Sequence, residues 1–279
     1  MKLLGTILAF VATITFGGVA VADSMPGSMM RADGTMTASS GMTAMAHAMA
    51  SMNSCNAMMS AMHRAMQKAT GHCFKVTIEN ISTADAFTAS NGTKWTLPFS
   101  PGPFAVTTGA NPIFAPGTRD RGQGLRALSE DGNPVPLTTY LEGAYPGSGA
   151  FLVPVGGSKP KGITPGERFE FYVVASAKQK LFFVSMFGQS NDWFYGTPSG
   201  IALFDGGGKP VGGDQTAAVK LYDAGTEADE ELGIGPSQGP RQPHPRFGPD
   251  DPNPIVRLAT SDPRFIDVSK VMRVTVTPQ

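Results

Sequence analysis

From residue 74 onward, the chain is a succession of short apolar runs separated by turns. Runs such as FKVTIENI at 74–81, ERFEFYVVAS at 167–176 and VMRVTVTP at 271–278 are rich in β-branched and aromatic residues, and turn-forming residues separate them. Such runs are typical of β-strands. Because the region has no long amphipathic helix and no alternation of strand and helix, we expect residues 74–279 to form one all-β domain, an antiparallel β-sandwich.

Turn residues predict how some of these runs connect. The runs at 167–176 and 180–189 are separated by a short turn, which predicts a β-hairpin. The segment GQGLRALSEDGNP at 122–134 predicts one short helix that ends at the turn Asp131-Gly132.

A glycine-rich turn, GGGKPVGG at 206–213, separates the runs IALFD at 201–205 and VKLY at 219–222. Asp205 and Asp214 flank this turn. We expect both of them to be hairpin residues, since Asp and Gly favour tight turns.

The first 22 residues have the features of an export signal. Lys2 is followed by an uncharged, mostly apolar run, and Ala20-Val21-Ala22 provides a small-x-small cleavage pattern. The run is long enough to span a bilayer as an uncleaved anchor, but its glycines favour cleavage. We therefore expect a mature protein that starts at Asp23 and is secreted or periplasmic.

Residues 23–73 differ in composition from the rest of the chain. They hold 12 of the 15 methionines and few branched aliphatic or aromatic residues, so they are expected not to form a core of their own. The spacing of the methionines predicts a helix over 43–69 preceded by disorder. This segment is interpreted as a partly helical extension.

The methionine-rich segment suggests two roles. Thioethers select Cu(I), and a dense group lies within nine residues: Met58, Met59, Met62, His63 and Met66. The alternative is that methionine fills a helical stripe with flexible apolar bulk. Cys55 and Cys73, both placed outside the sandwich by the boundary at residue 74, are interpreted as a disulfide pair, with a thiolate metal site as the alternative.

Charge and motif content exclude several function classes. The chain carries 22 basic and 22 acidic residues without a basic block, so nucleic acid is not an expected partner. Neither a phosphate-binding loop nor a zinc-protease motif is present. His244 is the one histidine of the proposed sandwich and has no G-x-S-x-G motif to accompany it, so no catalytic residue is assigned.

Two acidic motifs at the ends of apolar runs carry the functional hypothesis. QSNDWFYG at 189–196 contains Asp192, and LYDAGTE at 221–227 contains Asp223 and Glu227. Loop carboxylates are the ligands that calcium prefers in proteins. The sequence therefore predicts a Ca²⁺ site made of these three acids.

The same motifs resemble the spondin N-terminal (F-spondin) domain in its bacterial form, over about residues 74–279. The resemblance includes the proline-rich stretch GPSQGPRQPHPRFGPDDPN at 235–253 and the closing strand VMRVTVTPQ at 271–279. This resemblance implies a C2-like antiparallel β-sandwich that holds calcium at one end through Asp192, Asp223 and Glu227. It also implies a non-enzymatic adhesion or recognition module that binds a surface glycan or protein. Glu227 departs from the Asp of animal members, and the chain lacks their thrombospondin repeats.

Other residues near the motifs leave alternatives open. Asp192 with Asp223 could serve instead as the carboxylate pair of a glycan-directed hydrolase. Asn191 is either a further oxygen ligand or a turn cap, and the acids at 229–231 are interpreted as a solvated loop face. Trp193 and Phe194 are expected to anchor the loop in the core, although exposed rings would make a tip that contacts a membrane or a partner.

The stretch 233–254 contains seven prolines. Since proline cannot donate to a strand ladder, this stretch is not a central strand. We expect it to be a long ordered loop that lies across the end of the sandwich beside Asp223. The alternative is a flexible surface loop.

Overall fold

A computed structural model of the protein describes residues 71–279. The predictions for residues 1–70, namely the signal peptide, the methionine-rich helix, the Cu(I) ligands and Cys55, lie outside the described residues. Two α-helices belong to the described part, α1 (Leu125–Asp131) and α2 (Val135–Ala144), together with three short 3₁₀ helices. No helix in this part is long and apolar enough to cross a membrane.

Most of residues 71–279 that have regular structure are strands. The strands are β1 (His72–Asn80), β2 (Phe87–Thr88), β3 (Lys94–Trp95), β4 (Gly102–Thr107), β5 (Gly149–Phe151), β6 (Arg168–Ala175), β7 (Lys180–Met186), β8 (Trp193–Gly196), β9 (Ile201–Ala202), β10 (Gly213–Asp214), β11 (Lys220–Asp223), β12 (Arg257–Leu258) and β13 (Met272–Pro278).

Two main sheets form the architecture. The first sheet has the order β10-β13-β1-β6, and the second has the order β12-β11-β8-β7-β4-β5, with β9 also paired to β7. Strands β2 and β3 form a separate small ribbon. All paired strands run antiparallel, which confirms the predicted all-β antiparallel sandwich.

The main core lies between the two sheets. In β1, Phe74, Val76 and Ile78 are buried at alternate positions and belong to the same apolar cluster as Phe183 and Tyr195 of the second sheet. Alternation places every second side chain of a strand on one face, so the first sheet contributes one face to the core.

The second sheet is covered on both faces. Phe183 packs between the sheets, while its neighbour Phe182 packs on the outer face with Leu128 of α1 and Leu137 of α2. This double burial explains why the run LFFVSM in β7 is buried at every position and, apart from Ser185, apolar without alternation.

Helix α1 confirms the predicted helix and its end. Gly132 adopts a left-handed conformation with φ 65° and caps the last turn through its backbone N–H. Helix α2 has no counterpart among the predicted elements, and two prolines, Pro134 and Pro136, lie at its start. Proline is nevertheless compatible with the first turn of a helix, where the backbone N–H has no partner within the helix.

The predicted hairpin over 167–189 is wrong. Strand β6 pairs with β1 in the first sheet, whereas β7 pairs with β4, β8 and β9 in the second. The turn between them, where Lys178 has φ 73°, therefore carries the chain from one sheet to the other. A short turn between two apolar runs does not distinguish these connections, since the choice depends on which sheet buries each run.

Two details of the turns and the domain start also differ from expectation. Asp205 accepts backbone hydrogen bonds from Gly207 and Lys209 in a tight turn, but Asp214 lies in β10 and pairs with β13. Strand β1 begins at His72, so Cys73 lies inside the sandwich, not before it. Cys73 is disulfide-bonded.

Candidate metal centre

Strand pairing brings the two motif aspartates together. Asp192 immediately precedes β8, and Asp223 is the last residue of β11. The two strands are antiparallel neighbours, with Asp223 in register with Trp193. Because β8 begins where β11 ends, both carboxylates lie at the same end of the second sheet.

The loop after β11 is folded around Asp192. The Oδ1 atom of Asp223 accepts a hydrogen bond of 2.7 Å from the Gly225 N–H. Gly225 has φ 65°, and a Cβ there would lie 2.5 Å from the Ile255 carbonyl oxygen. Only glycine fits this turn, which directs the following N–H groups toward Asp192.

Asp192 is buried, and its two oxygens have different surroundings. Its Oδ2 accepts hydrogen bonds from the Thr226 N–H at 2.6 Å, the Thr226 hydroxyl at 3.0 Å and the Glu227 N–H at 3.1 Å. Its Oδ1 has no hydrogen-bond partner among the described residues. A buried carboxylate oxygen without a partner is costly, and a bound cation would satisfy it.

Three aspartates could hold a metal ion together. One carboxylate oxygen each of Asp192, Asp223 and Asp229 lie within 4.8 Å of one another. Burial and then the neighbouring acids raise the pKa of Asp223, while burial raises the pKa of Asp192 against its hydrogen bonds. A cation would offset both effects, since positive charge favours the ionised form.

Glu227, the third predicted ligand, is buried but does not belong to this group. Its Oε1 accepts a hydrogen bond of 2.6 Å from the Gly248 N–H, and its Oε2 accepts one of 3.3 Å from the Asn191 amide. Burial raises its pKa to about 7. In this arrangement Asp229 takes the third position of the carboxylate group.

The acids at 229–231 remain accessible to solvent, with Asp229 exposed and Glu230 and Glu231 part-buried, but each of them also has a hydrogen-bond partner in another segment. Asp229 accepts from the Trp193 indole N–H at 3.0 Å, Glu230 from the Ser237 hydroxyl at 2.8 Å, and Glu231 from the Ser90 hydroxyl at 2.7 Å. Each acid thus fastens the loop to a different segment. Consecutive acids alone do not reveal such partners, because the partners are distant in the sequence.

Trp193 and Phe194 anchor the loop in the core, as expected. Both are buried, with Trp193 in the core between the sheets and Phe194 in the cluster under the helices. Asn191 acts on the loop: its amide donates to Glu227, and its Oδ1 accepts from the Glu230 N–H at 3.0 Å. The short segment 191–194 therefore connects the two apolar clusters with the acidic loop.

Two arginines face the carboxylates and were not identified from the sequence. Arg257 forms an ion pair with Asp223, and its Nη2 lies 3.6 Å from Asp229 Oδ2. Arg264 pairs with Asp262, lies 3.7 Å from Asp229 Oδ2 and covers the Trp193 ring at 5.6 Å. Nothing in the local sequence around Arg257 or Arg264 links them to Asp223.

Glu130 of α1 is a further buried acid near the centre. Its Oε1 lies 2.7 Å from Arg126 Nε, and Thr226 lies beside its carboxylate. Burial, opposed by Arg126, raises its pKa to about 8. A helical Glu-Asp pair gave no signal of a site, because its burial depends on the loop that covers α1.

The proline-rich stretch lies across this end of the sandwich, as predicted. Its Gln242 donates to Asp131 at 2.8 Å, its Arg241 donates to Gln189 at 3.1 Å, and its Gly248 donates to Glu227. These contacts fix the stretch without strand pairing. By contrast, His244 is exposed and contacts its near neighbours Pro245 and Phe247.

No protein-family model matches the chain, and no curated protein matches it either. The β-sandwich is therefore established by the structure itself. The spondin resemblance rests on the sequence motifs, and the ion and the ligand that it implies are taken up as a proposal.

Proposed function

We propose that the protein is a secreted or periplasmic, non-enzymatic recognition module of spondin type, in which calcium organises one end of the β-sandwich. The observation that carries this proposal is the buried Asp192, whose Oδ1 has no partner among the described residues and lies in a group with Asp223 and Asp229. The group offers oxygen ligands alone. Calcium, a hard cation with a flexible coordination shell, suits such a set.

The ion would join segments that the fold brings together only here. Asp192 precedes β8, Asp223 ends β11, and Asp229 lies on the loop that bonds to Trp193. Glu227 is the ligand that the resemblance implies in addition to the two aspartates. An ion held by these carboxylates would stiffen the loops of this end and present them to a surface glycan or protein.

Export is supported by the disulfide of Cys73. Disulfides persist in oxidising compartments such as the periplasm and the extracellular space. The N-terminal sequence with its Ala20-Val21-Ala22 pattern agrees with this placement.

A glycan-directed hydrolase is the rival function, and one observation favours it. The raised pKa of Asp223 suits a proton donor. Against it, Asp192 is sealed from solvent, whereas the carboxylates of a glycosidase must both reach the scissile bond. Incubating the protein with glycans and envelope polymers distinguishes the two functions. Released cleavage products would show that the protein is an enzyme and would refute the proposal of a binding module.

Calcium titration of the chelator-stripped protein tests the proposal. Ion binding to the folded state alone stabilises it by ~2.7 kcal/mol at a hundredfold excess over Kd, so calcium should raise the melting temperature. Asp192→Asn with Asp223→Asn should abolish this increase, because the double variant removes two ligand charges. Asp85→Asn, whose exposed carboxylate pairs with Lys94, is the matched control and should respond like the wild type.

Magnesium and calorimetry complete this test. Magnesium should give a smaller increase, because it demands a smaller octahedral shell. A wild-type protein that neither melts higher with calcium nor shows calcium binding by calorimetry would refute the calcium site.

A further inference from the structure

Arg257 occupies the position from which a cation would approach Asp223. Its Nη2 pairs with Asp223 Oδ2, while Asp223 Oδ1 already accepts the Gly225 N–H. Both oxygens of Asp223 are thus engaged by the chain itself. Of the three grouped aspartates, only Asp192 offers an oxygen without a partner among residues 71–279.

The guanidinium also touches the third member of the group. Arg257 Nη2 lies 3.6 Å from Asp229 Oδ2, so one positive charge is shared between two of the three aspartates. A divalent ion at the same carboxylates would be repelled by this charge at close range. The ion and the guanidinium therefore compete for the same oxygens.

Arg257 also has two hydrogen-bond partners outside the group of three aspartates. Its Nη2 also contacts Asp251 Oδ2 at 2.6 Å, and its Nη1 donates to the Asn253 carbonyl at 2.8 Å. Asp251 is itself held by the Asn253 N–H at 2.6 Å. The side chain can consequently release Asp223 and keep two partners.

Arg264 is not equivalent to Arg257. Its guanidinium is bound to Asp262 and to the Glu230 carbonyl, and its Nη2 lies 3.7 Å from Asp229. No contact joins it to Asp223. It therefore holds the loop in place, whereas Arg257 is the arginine that covers a proposed ligand.

We infer that Arg257 is an internal cation that neutralises Asp223 in the calcium-free protein and must release Asp223, while keeping Asp251, when calcium binds, thereby setting the calcium affinity of the site. This inference rests on the proposed calcium site. The centre would then have two states. In the absence of calcium, the guanidinium of Arg257 reduces the repulsion between the carboxylates, and at high calcium concentration the ion takes over this role.

Calcium titration of the stripped, full-length protein and its Arg257 variants tests the inference. Arg257→Gln removes the competing charge and should bind calcium about tenfold more tightly or better, because ligand charge tunes calcium affinity over decades. Without calcium, the same variant should melt at a lower temperature than the wild type. Arg257→Lys keeps a positive charge and should bind calcium about as the wild type does.

Arg273→Gln is the matched control, since it removes the same charge from a side chain of β13, in the other sheet, that pairs with Glu79. It should leave calcium affinity within about twofold, as expected for a charge outside the ligand group. Far-UV circular dichroism in chelator establishes that each variant is folded. A calcium-bound crystal structure should show Arg257 on Asp251 and away from Asp223.

The outcomes separate the inference from the proposed function. If the wild type binds calcium and Arg257→Gln binds no more tightly, the inference is wrong and the calcium site stands. If only Arg257→Gln binds calcium, the competition is real and the wild-type calcium function is wrong. If neither binds calcium, or if Lys and Gln tighten binding equally, competition by charge is rejected.

Discussion

Single residues of the motif LYDAGTE have separate tasks in the candidate centre. Asp223 supplies a carboxylate and accepts from Gly225, whereas Thr226 and Glu227 donate their N–H groups to Asp192. The motif thus works chiefly by positioning backbone donors around a buried carboxylate. Its glycine is required because the turn is left-handed and passes against Ile255.

Gly225→Ala should therefore destabilise the protein by more than a left-handed turn alone would explain. A non-glycine residue in the left-handed region costs roughly 1–2 kcal/mol, and the added methyl group would also collide with the Ile255 backbone. Urea unfolding measures the loss. Calcium affinity should fall too, because the displaced loop no longer holds Asp192.

Gly92→Ala is the control for this substitution. Gly92 has φ 84°, but a Cβ there meets nothing within 4 Å. It should show the left-handed strain without the collision. Equal losses of stability in the two variants would show that the loop yields at Ile255.

Helix α1 links the outer face of the second sheet to the candidate centre. Leu125 and Leu128 pack in the cluster with Phe182, while Glu130 and Asp131 at its end are buried under the proline-rich stretch. Burial raises the pKa of Glu130 to about 8 and that of Asp131 to about 6. The packing that buries the end of α1 therefore also raises the pKa values of Glu130 and Asp131.

The calcium-free protein should lose stability as the pH rises from about 5 to 8. The pKa of Glu130 is higher in the folded state, so the folded protein retains a proton that the unfolded chain has released above its ordinary pKa of 4.5. The stabilisation is complete below that value and is lost as the pH approaches 8. Urea unfolding across this range measures the slope.

Glu130→Gln should make that slope shallower without abolishing it, because the amide does not titrate, whereas Asp192, Asp223 and Glu227 also have raised pKa values. Arg126→Gln should extend the decline to higher pH, since Arg126 is the charge that lowers the pKa of Glu130. Identical slopes in the wild type and Glu130→Gln would show that Glu130 does not control the pH dependence.

Two apolar clusters of the described residues form the cores of the sandwich. The cluster between the sheets runs from Phe74 to Val276, and the outer cluster joins the second sheet to α1 and α2. Both clusters draw on strands that are distant in the sequence.

Removing residues 23–70 should leave the stability of the sandwich nearly unchanged. Changes that touch no core or hydrogen-bond network stay within about 0.5 kcal/mol. The truncated protein should carry Cys73→Ser, since Cys55 is removed with the segment. Full-length Cys73→Ser is its control, and a truncated protein that is clearly less stable than this control would show that the segment packs on the sandwich.

Local patterns were sufficient for several parts of the fold and the site. The alternation in FKVTIENI predicted β1, the Asp131-Gly132 turn predicted the end of α1, and the apolar rings of Trp193 and Phe194 predicted buried anchors. These features depend on backbone preferences and on side-chain periodicity. Both are properties of short segments.

The tertiary structure decided which segments meet. It assigned β6 and β7 to different sheets and placed Asp229 and Arg257 beside Asp223. Local patterns alone indicated an all-β chain with acids in loops at Asp192 and Asp223. Pairing, burial and charge neutralisation join residues that are far apart along the chain, so they were settled only when the two sheets and the proline-rich stretch closed on one another.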